Sequence, residues 1–184
     1  MQDEMVASPT DVVSFWQKAG PDRWFKKDPA FDDTIRERFL ATYQAAAAGQ
    51  LSGWEQSADG TLALLILLDQ FPRNMFRGDA RAFATDPLAR AITAGAIIRG
   101  YDSQVSKEFQ NFFYLPFEHS EDLADQERCI ALNRASGDPE NLKWAEIHAD
   151  IIRRFGRFPH RNAALGRTTT PEEQAFLDSG GFAG

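Results

Sequence analysis

Two Phe-Pro-Arg-Asn elements, three histidines and one cysteine hold most of the chemistry open to this chain. The first element reads Asp69-Gln70-Phe71-Pro72-Arg73-Asn74. The second reads Arg157-Phe158-Pro159-His160-Arg161-Asn162, with one residue inserted before its arginine. Arginine carries a planar fork of donors that matches a carboxylate or a phosphate in two places at once. Asparagine adds both a donor and an acceptor. Arg77 follows the first element and Arg167 the second. If the two elements face one another, they form a cationic pocket with His160 and His119 on its rim. Its ligand would be a small anionic molecule, held by Asp69, Arg73, Asn74, Glu118, His119, Arg157, His160, Arg161 and Asn162. A second arrangement uses the same residues: Asp69, Glu118, Glu121 and Asp122 fill the guanidinium forks from within, and the network fixes packing without any ligand.

A catalytic use is also open, with His119, Glu121 and His160 as the candidates. In Glu118-His119-Ser120-Glu121-Asp122, Glu121 or Asp122 could orient the His119 imidazole for proton transfer, while arginines stabilise developing negative charge. The natural class would be a hydrolase or lyase acting on an anionic metabolite. His160 follows Pro159 in a loop or helix start and is the best placed of the three histidines to meet a ligand. His148 lies on an apolar helical stripe between Trp144 and Ile151, which reads as a hydrogen-bonded core histidine. No two histidines stand four apart, and no His-Glu-x-x-His occurs, so no metal site is expected. No cofactor is expected either, because phosphate-cradling glycine loops, dinucleotide fingerprints and a Gly-x-Ser-x-Gly elbow are all missing. Cys129, the single cysteine, reads as a small packing residue.

The charge balance narrows the partners. A formal net charge of -7 opposes general nucleic-acid binding, which needs a dominant basic surface. The charges are unevenly spread: residues 151–167 contain Arg153, Arg154, Arg157, Arg161 and Arg167 but no acid, whereas residues 118–127 contain five acids and no lysine or arginine. The longest apolar run, residues 62–68, is too short to span a bilayer. The acidic opening, residues 1–5, lacks the apolar core of a secretion signal. With a lone cysteine, a reducing cytoplasmic location is the expectation.

Such side chains need elements to position them, and the punctuation of the chain is helical. Ser8-Pro9, Asp28-Pro29, Asp86-Pro87, Asp138-Pro139 and Thr170-Pro171 each place a capping side chain before a proline suited to the first helical turn. Glu173 completes a capping box with Thr170. Phe31, Ile35, Phe39 and Tyr43 recur at helical spacing before Gly49. Trp144, His148, Ile151 and Phe155 do so before Gly156, and Leu88, Ile92 and Ala96 before Gly100. Residues 61–71 are apolar on nearly every side, as in a buried central helix. Leu123, Gln126 or Glu127, Ile130 and Arg134 trace a further helix face. No alternating strand pattern appears. The expected fold is all-α: a single helical domain over residues 1–184, about eight helices with short connections, and a loose tail at 179–184.

Seven blocks, in order, carry a family resemblance: Val13-Ser14-Phe15-Trp16, Trp24-Phe25, Phe31-Asp32, residues 67–74 with the first Phe-Pro element, Ala82-Phe83-Ala84-Thr85-Asp86, residues 114–122 with Phe117-Glu118-His119-Ser120-Glu121, and residues 155–162 with the second element. The chain resembles the bacterial "domain of unknown function 924" family over nearly its whole length. The resemblance implies an all-α fold similar to tetratricopeptide-like superhelical arrays, and no established activity. The chain lacks the tetratricopeptide consensus of Trp, Gly and Tyr. By that analogy a protein-interaction scaffold is a third functional expectation.

Overall fold

The computed structural model describes residues 6–184; the acidic opening at residues 1–5 lies outside them. The described residues form helices and turns, with no strand among them. In order these are α1 (Pro9–Ala19), α2 (Pro21–Trp24), α3 (Pro29–Ala47), α4 (Ala58–Leu65), α5 (Phe71–Met75), α6 (Asp86–Ile98), α7 (Lys107–Gln110), α8 (Leu115–Glu118), α9 (Leu123–Ser136), α10 (Pro139–Phe155) and α11 (Pro171–Asp178). Seven of the eleven have eight residues or more; the other four are one-turn pieces that add to the expected eight. The all-α expectation holds. No helix among the described residues is long and apolar enough to cross a membrane.

Four of the five proline starts are capped as the sequence predicts. The Ser8 and Thr170 hydroxyls each accept from the third helical N–H in a full capping box. Asp28 and Asp138 each accept two N–H bonds. The fifth differs: α6 begins at Asp86 itself, without a side-chain cap. Its carboxylate is engaged elsewhere, by Arg73. Thr85, before it, donates its hydroxyl to the Leu68 carbonyl oxygen instead (2.6 Å).

The chain divides into two compact units, Met1–Arg77 with Arg81–Pro116, and Gly78–Ala80 with Phe117–Gly184. The first is built round α4 and its continuation. Leu62 to Leu68 are almost wholly inaccessible to solvent, which explains why the sequence there is apolar on all sides. Helix α4 runs into α5 through a wider π-helical turn, Ile66–Gln70, closed by a Phe71 N–H bond to the Ile66 carbonyl oxygen. The wider turn takes up one extra residue without breaking the helix. Helices α1 and α6 pack on α4, and α3 packs on α5 and the π turn. Phe71 anchors an aromatic cluster with Phe15, Trp16 and Phe39, at ring separations of 5.0 to 6.1 Å. Each such buried ring contributes roughly 1.5–3 kcal/mol through the water it leaves.

The second unit is organised by α9 packed against α10. Gly156, at φ 70°, closes α10 in the left-handed conformation that glycine adopts without a Cβ clash. Ile151, Ile152 and Phe158 form a small apolar core, flanked by Ile147, Phe155, Phe176 and Phe182. The buried face of α9 is Gln126, Cys129, Ile130 and Asn133; it keeps Gln126 and Ile130 of the expected stripe, while Leu123 and Arg134 are exposed. Polar groups can line that face because Gln126 donates to the Glu118 and Ser120 carbonyl oxygens (both 2.6 Å) and Asn133 to the Cys129 carbonyl oxygen (3.2 Å).

Candidate functional site

The first Phe-Pro element lies wholly in the first unit, at the exit of the π turn. Phe71 is fully buried. Arg73 forks onto Asp86, with both nitrogen–oxygen distances at 2.9 Å, and donates to the Asp69 carbonyl oxygen (2.7 Å). The Asp69 carboxylate, also buried, is 3.5 Å from the same guanidinium and accepts from Gln70 (2.6 Å). Burial pulls the Arg73 pKa down, but the Asp69 and Asp86 charges outweigh it, and the guanidinium is held above its ordinary value. Asn74 donates to Asp32 Oδ1 (2.8 Å), and Arg77 grips the same carboxylate at 2.9 and 3.0 Å.

The second element lies wholly in the second unit. Phe158 is again fully buried. Asn162 donates to Glu173 Oε2 (3.1 Å), and Arg157 forks onto the same carboxylate at 2.7 and 2.9 Å. The Arg157 bond, the Thr170 N–H and Asn162 together hold the Glu173 carboxyl down to about 2, against an ordinary 4.5. Asn162 Oδ1 also accepts from Arg167 Nε (2.9 Å). Arg167 forks onto Glu121 (2.8 and 3.0 Å), which further accepts the Phe158 N–H (2.8 Å). Burial raises the Glu121 pKa, but the Arg167 bond, the Phe158 N–H and the nearby Arg161 charge bring it below its ordinary value.

Glu121 is therefore engaged by Arg167 and the Phe158 N–H. Asp122 caps α9 through the Ala124 N–H (2.9 Å). His119 sits between α8 and α9. The carboxylate beside an imidazole is Glu118, whose Oε1 is 3.4 Å from His148 Nδ1. The same nitrogen is 2.8 Å from the Trp144 carbonyl oxygen. A carbonyl can only accept, so Nδ1 carries the proton. His148 is the buried, hydrogen-bonded histidine the sequence predicts.

All three histidines lie in the second unit, brought from three separate segments. The His119 and His148 rings are 6.5 Å apart. His148 and His160 are each 5.7 Å from Phe158 and lie 4.5 and 5.3 Å from Phe182. Arg161, in the turn Pro159–Arg161, is buried; its guanidinium lies 4.5 Å over the Phe158 ring and donates to the His119 carbonyl oxygen (2.9 Å). Behind His148, Glu118 Oε2 accepts weakly from the Cys129 thiol (3.9 Å). Burial and the Glu118 charge push that thiol far above its ordinary range, so Cys129 is a packing residue without nucleophilic character. Among the described residues no group of three or more His, Cys, Asp and Glu side chains could hold a metal ion.

Sequence reasoning gave the arginines and asparagines but not the partners of most of them. Asp32, Asp86 and Glu173 had local readings of their own, as part of an aromatic block or as helix caps. Phe182 falls in the tail expected to be loose, where no helical spacing points to it. Its only signal was an aromatic residue isolated among glycines.

The fold and these paired elements define a class of all-helical protein in which Phe-Pro turns are tied down by arginine–carboxylate forks. A family model described as "Bacterial protein of unknown function (DUF924)" matches residues 12–181, and the chain belongs to that family. It is similar to a solved structure, the protein of unknown function ATU0120 from Agrobacterium tumefaciens. The two share 53% sequence identity at a TM-score of 0.90, over 93% of this chain and 97% of that one. No curated protein matches the chain.

Proposed function

We propose that the chain binds a small anionic molecule in its second unit, at the group formed by His119, His148, His160 and Arg161. The observation that carries this reading is the meeting of two imidazoles, His148 and His160, and the buried Arg161 guanidinium on the Phe158 ring, with the His119 ring 6.5 Å from that of His148. Imidazoles and a guanidinium set in an apolar wall offer directional donors and positive charge to a carboxylate or phosphate. The arginines that fork onto Asp86, Asp32, Glu173 and Glu121 serve in this reading as locks that hold the two elements in shape.

Titration calorimetry of the full chain with inorganic phosphate tests the proposal. Saturable binding is expected, weakened at least about tenfold in Arg161→Gln, the loss of one charge-assisted hydrogen bond. Far-UV circular dichroism shows that the variant is folded. No heat of binding, or equal affinity in folded wild type and variant, overturns the reading.

A second reading, a hydrolase or lyase with His119 or His160 as general acid/base, draws on the same group. What supports it is the His148 ring, held by the Trp144 carbonyl oxygen and Glu118 and 6.5 Å from the His119 ring, as a group that positions His119. Phosphoester and acyl-ester turnover that disappears in His160→Ala supports it; identical rates in both proteins refute it.

A further inference from the structure

The tail after α11 has the marks of a built element. Helix α11 ends with the Gly180 N–H on the Leu177 carbonyl oxygen (3.2 Å) and the Gly181 N–H on the Phe176 carbonyl oxygen (3.0 Å). Gly180 takes φ 81°, which only glycine adopts without strain. At Gly181 a Cβ would lie 2.6 Å from both the ring and the carbonyl oxygen of Phe176. Two successive positions thus demand glycine, and the turn they make sends Phe182 back over α10.

Phe182 lands on aromatic neighbours. Its ring centroid is 4.5 Å from His148, 5.3 Å from His160 and 6.3 Å from Trp144, and it packs against the core of Ile151, Ile152 and Phe158. Gly184 reaches the His160 ring, where a Cβ would stand 3.0 Å from Cδ2 and 3.2 Å from Nε2. The tail therefore covers two of the three imidazoles with a benzyl group, at separations typical of favourable aromatic pairs.

Taking the anion-binding reading of this site as its basis, we infer that Phe182 is a self-supplied occupant of a ring-binding subsite, and that the ligand is an anion carrying an aromatic ring. The ring of the ligand takes the place of Phe182 between His148, His160 and Trp144. Its anionic group meets the imidazoles and Arg161. The turn at Gly180 and Gly181 is the hinge about which the tail gives way, so the protein admits a ring-bearing ligand only against the competition of its own side chain.

Two probes separate the two layers of this inference: inorganic phosphate, an anion without a ring, and phenyl phosphate, an anion with one. They are titrated into the full chain, into Phe182→Ala, and into Gly181→Ala, which dislodges the tail by contact with Phe176 while keeping the Phe182 side chain. Far-UV circular dichroism and thermal melts show which variants are folded. The expected result is that phenyl phosphate binds either variant at least about tenfold more tightly than wild type, the worth of one aromatic contact, while phosphate affinity changes less than about twofold. If phosphate binds all three proteins and phenyl phosphate gains nothing in either variant, the ring subsite is refuted and the anion site stands. If neither probe binds any of the proteins, both fall.

Discussion

In the first Phe-Pro element Arg73 forks onto Asp86; in the second Arg161 lies over the Phe158 ring and reaches a main-chain oxygen. The rest of the two elements runs parallel. Phe71 and Phe158 are both fully buried. Asn74 shares the Asp32 carboxylate with Arg77, and Asn162 shares the Glu173 carboxylate with Arg157. A buried ring and an amide–guanidinium–carboxylate triangle therefore recur as one structural device, used once in each unit. The arginine inside the element departs from the pattern. The inserted His160 moves it one position along the chain, and it then lies over the Phe158 ring that His148 and His160 also meet. The comparison separates a shared packing device from the one position at which the two elements differ.

The largest effects should come from the buried rings. Phe71→Ala is expected to cost about 3–5 kcal/mol by urea denaturation, with Phe158→Ala toward the lower end of that range, because its apolar surroundings are smaller. A reversed order would break the view that the second unit has the lighter core. Next come the asparagines. Asn74→Ala and Asn162→Ala should each lose about 1–3 kcal/mol, since each leaves a buried carboxylate short of a donor. A loss confined to one of them would show that the triangles are not equivalent.

The smallest effect is one of pH. The Glu173 carboxyl is held at about 2 in the folded chain, below its ordinary 4.5. A depressed folded pKa gives stability that is complete above the unfolded value and is lost as pH falls toward the folded one. Wild type should therefore lose stability between about pH 5 and pH 2 more steeply than Glu173→Gln. Parallel acid limbs in the two proteins would remove Glu173 from the comparison.

Much of the helical frame was legible because its signals are local. Caps at Ser8, Asp28, Asp138 and Thr170 involve residues within three positions of one another. The fully apolar run before Phe71 could only be an interior helix. The site was harder to read because its decisive pairings are long-range. Arg77 meets Asp32 across 45 positions, and Arg167 meets Glu121 across 46. Any acid in the chain was an equal candidate for either. Asp86 was read as a helix cap because Asp-Pro is a strong local signal, yet a guanidinium outcompeted the backbone N–H groups for it. On α9 the expected face included Gln126 and Ile130 but not Asn133, which looks like a surface residue until the Cys129 carbonyl oxygen that receives it is in place.

The π turn at Ile66–Gln70 has a bearing on how this chain can change length. Removing one residue from it would tighten the backbone to an ordinary helix with little loss of hydrogen bonding. The wide turn takes up its extra residue within itself, so everything downstream would keep nearly the same direction. Arg73 would still face Asp86, and Asn74 would still face Asp32. The turn acts as a length buffer, and a relative one residue shorter there could keep both acids.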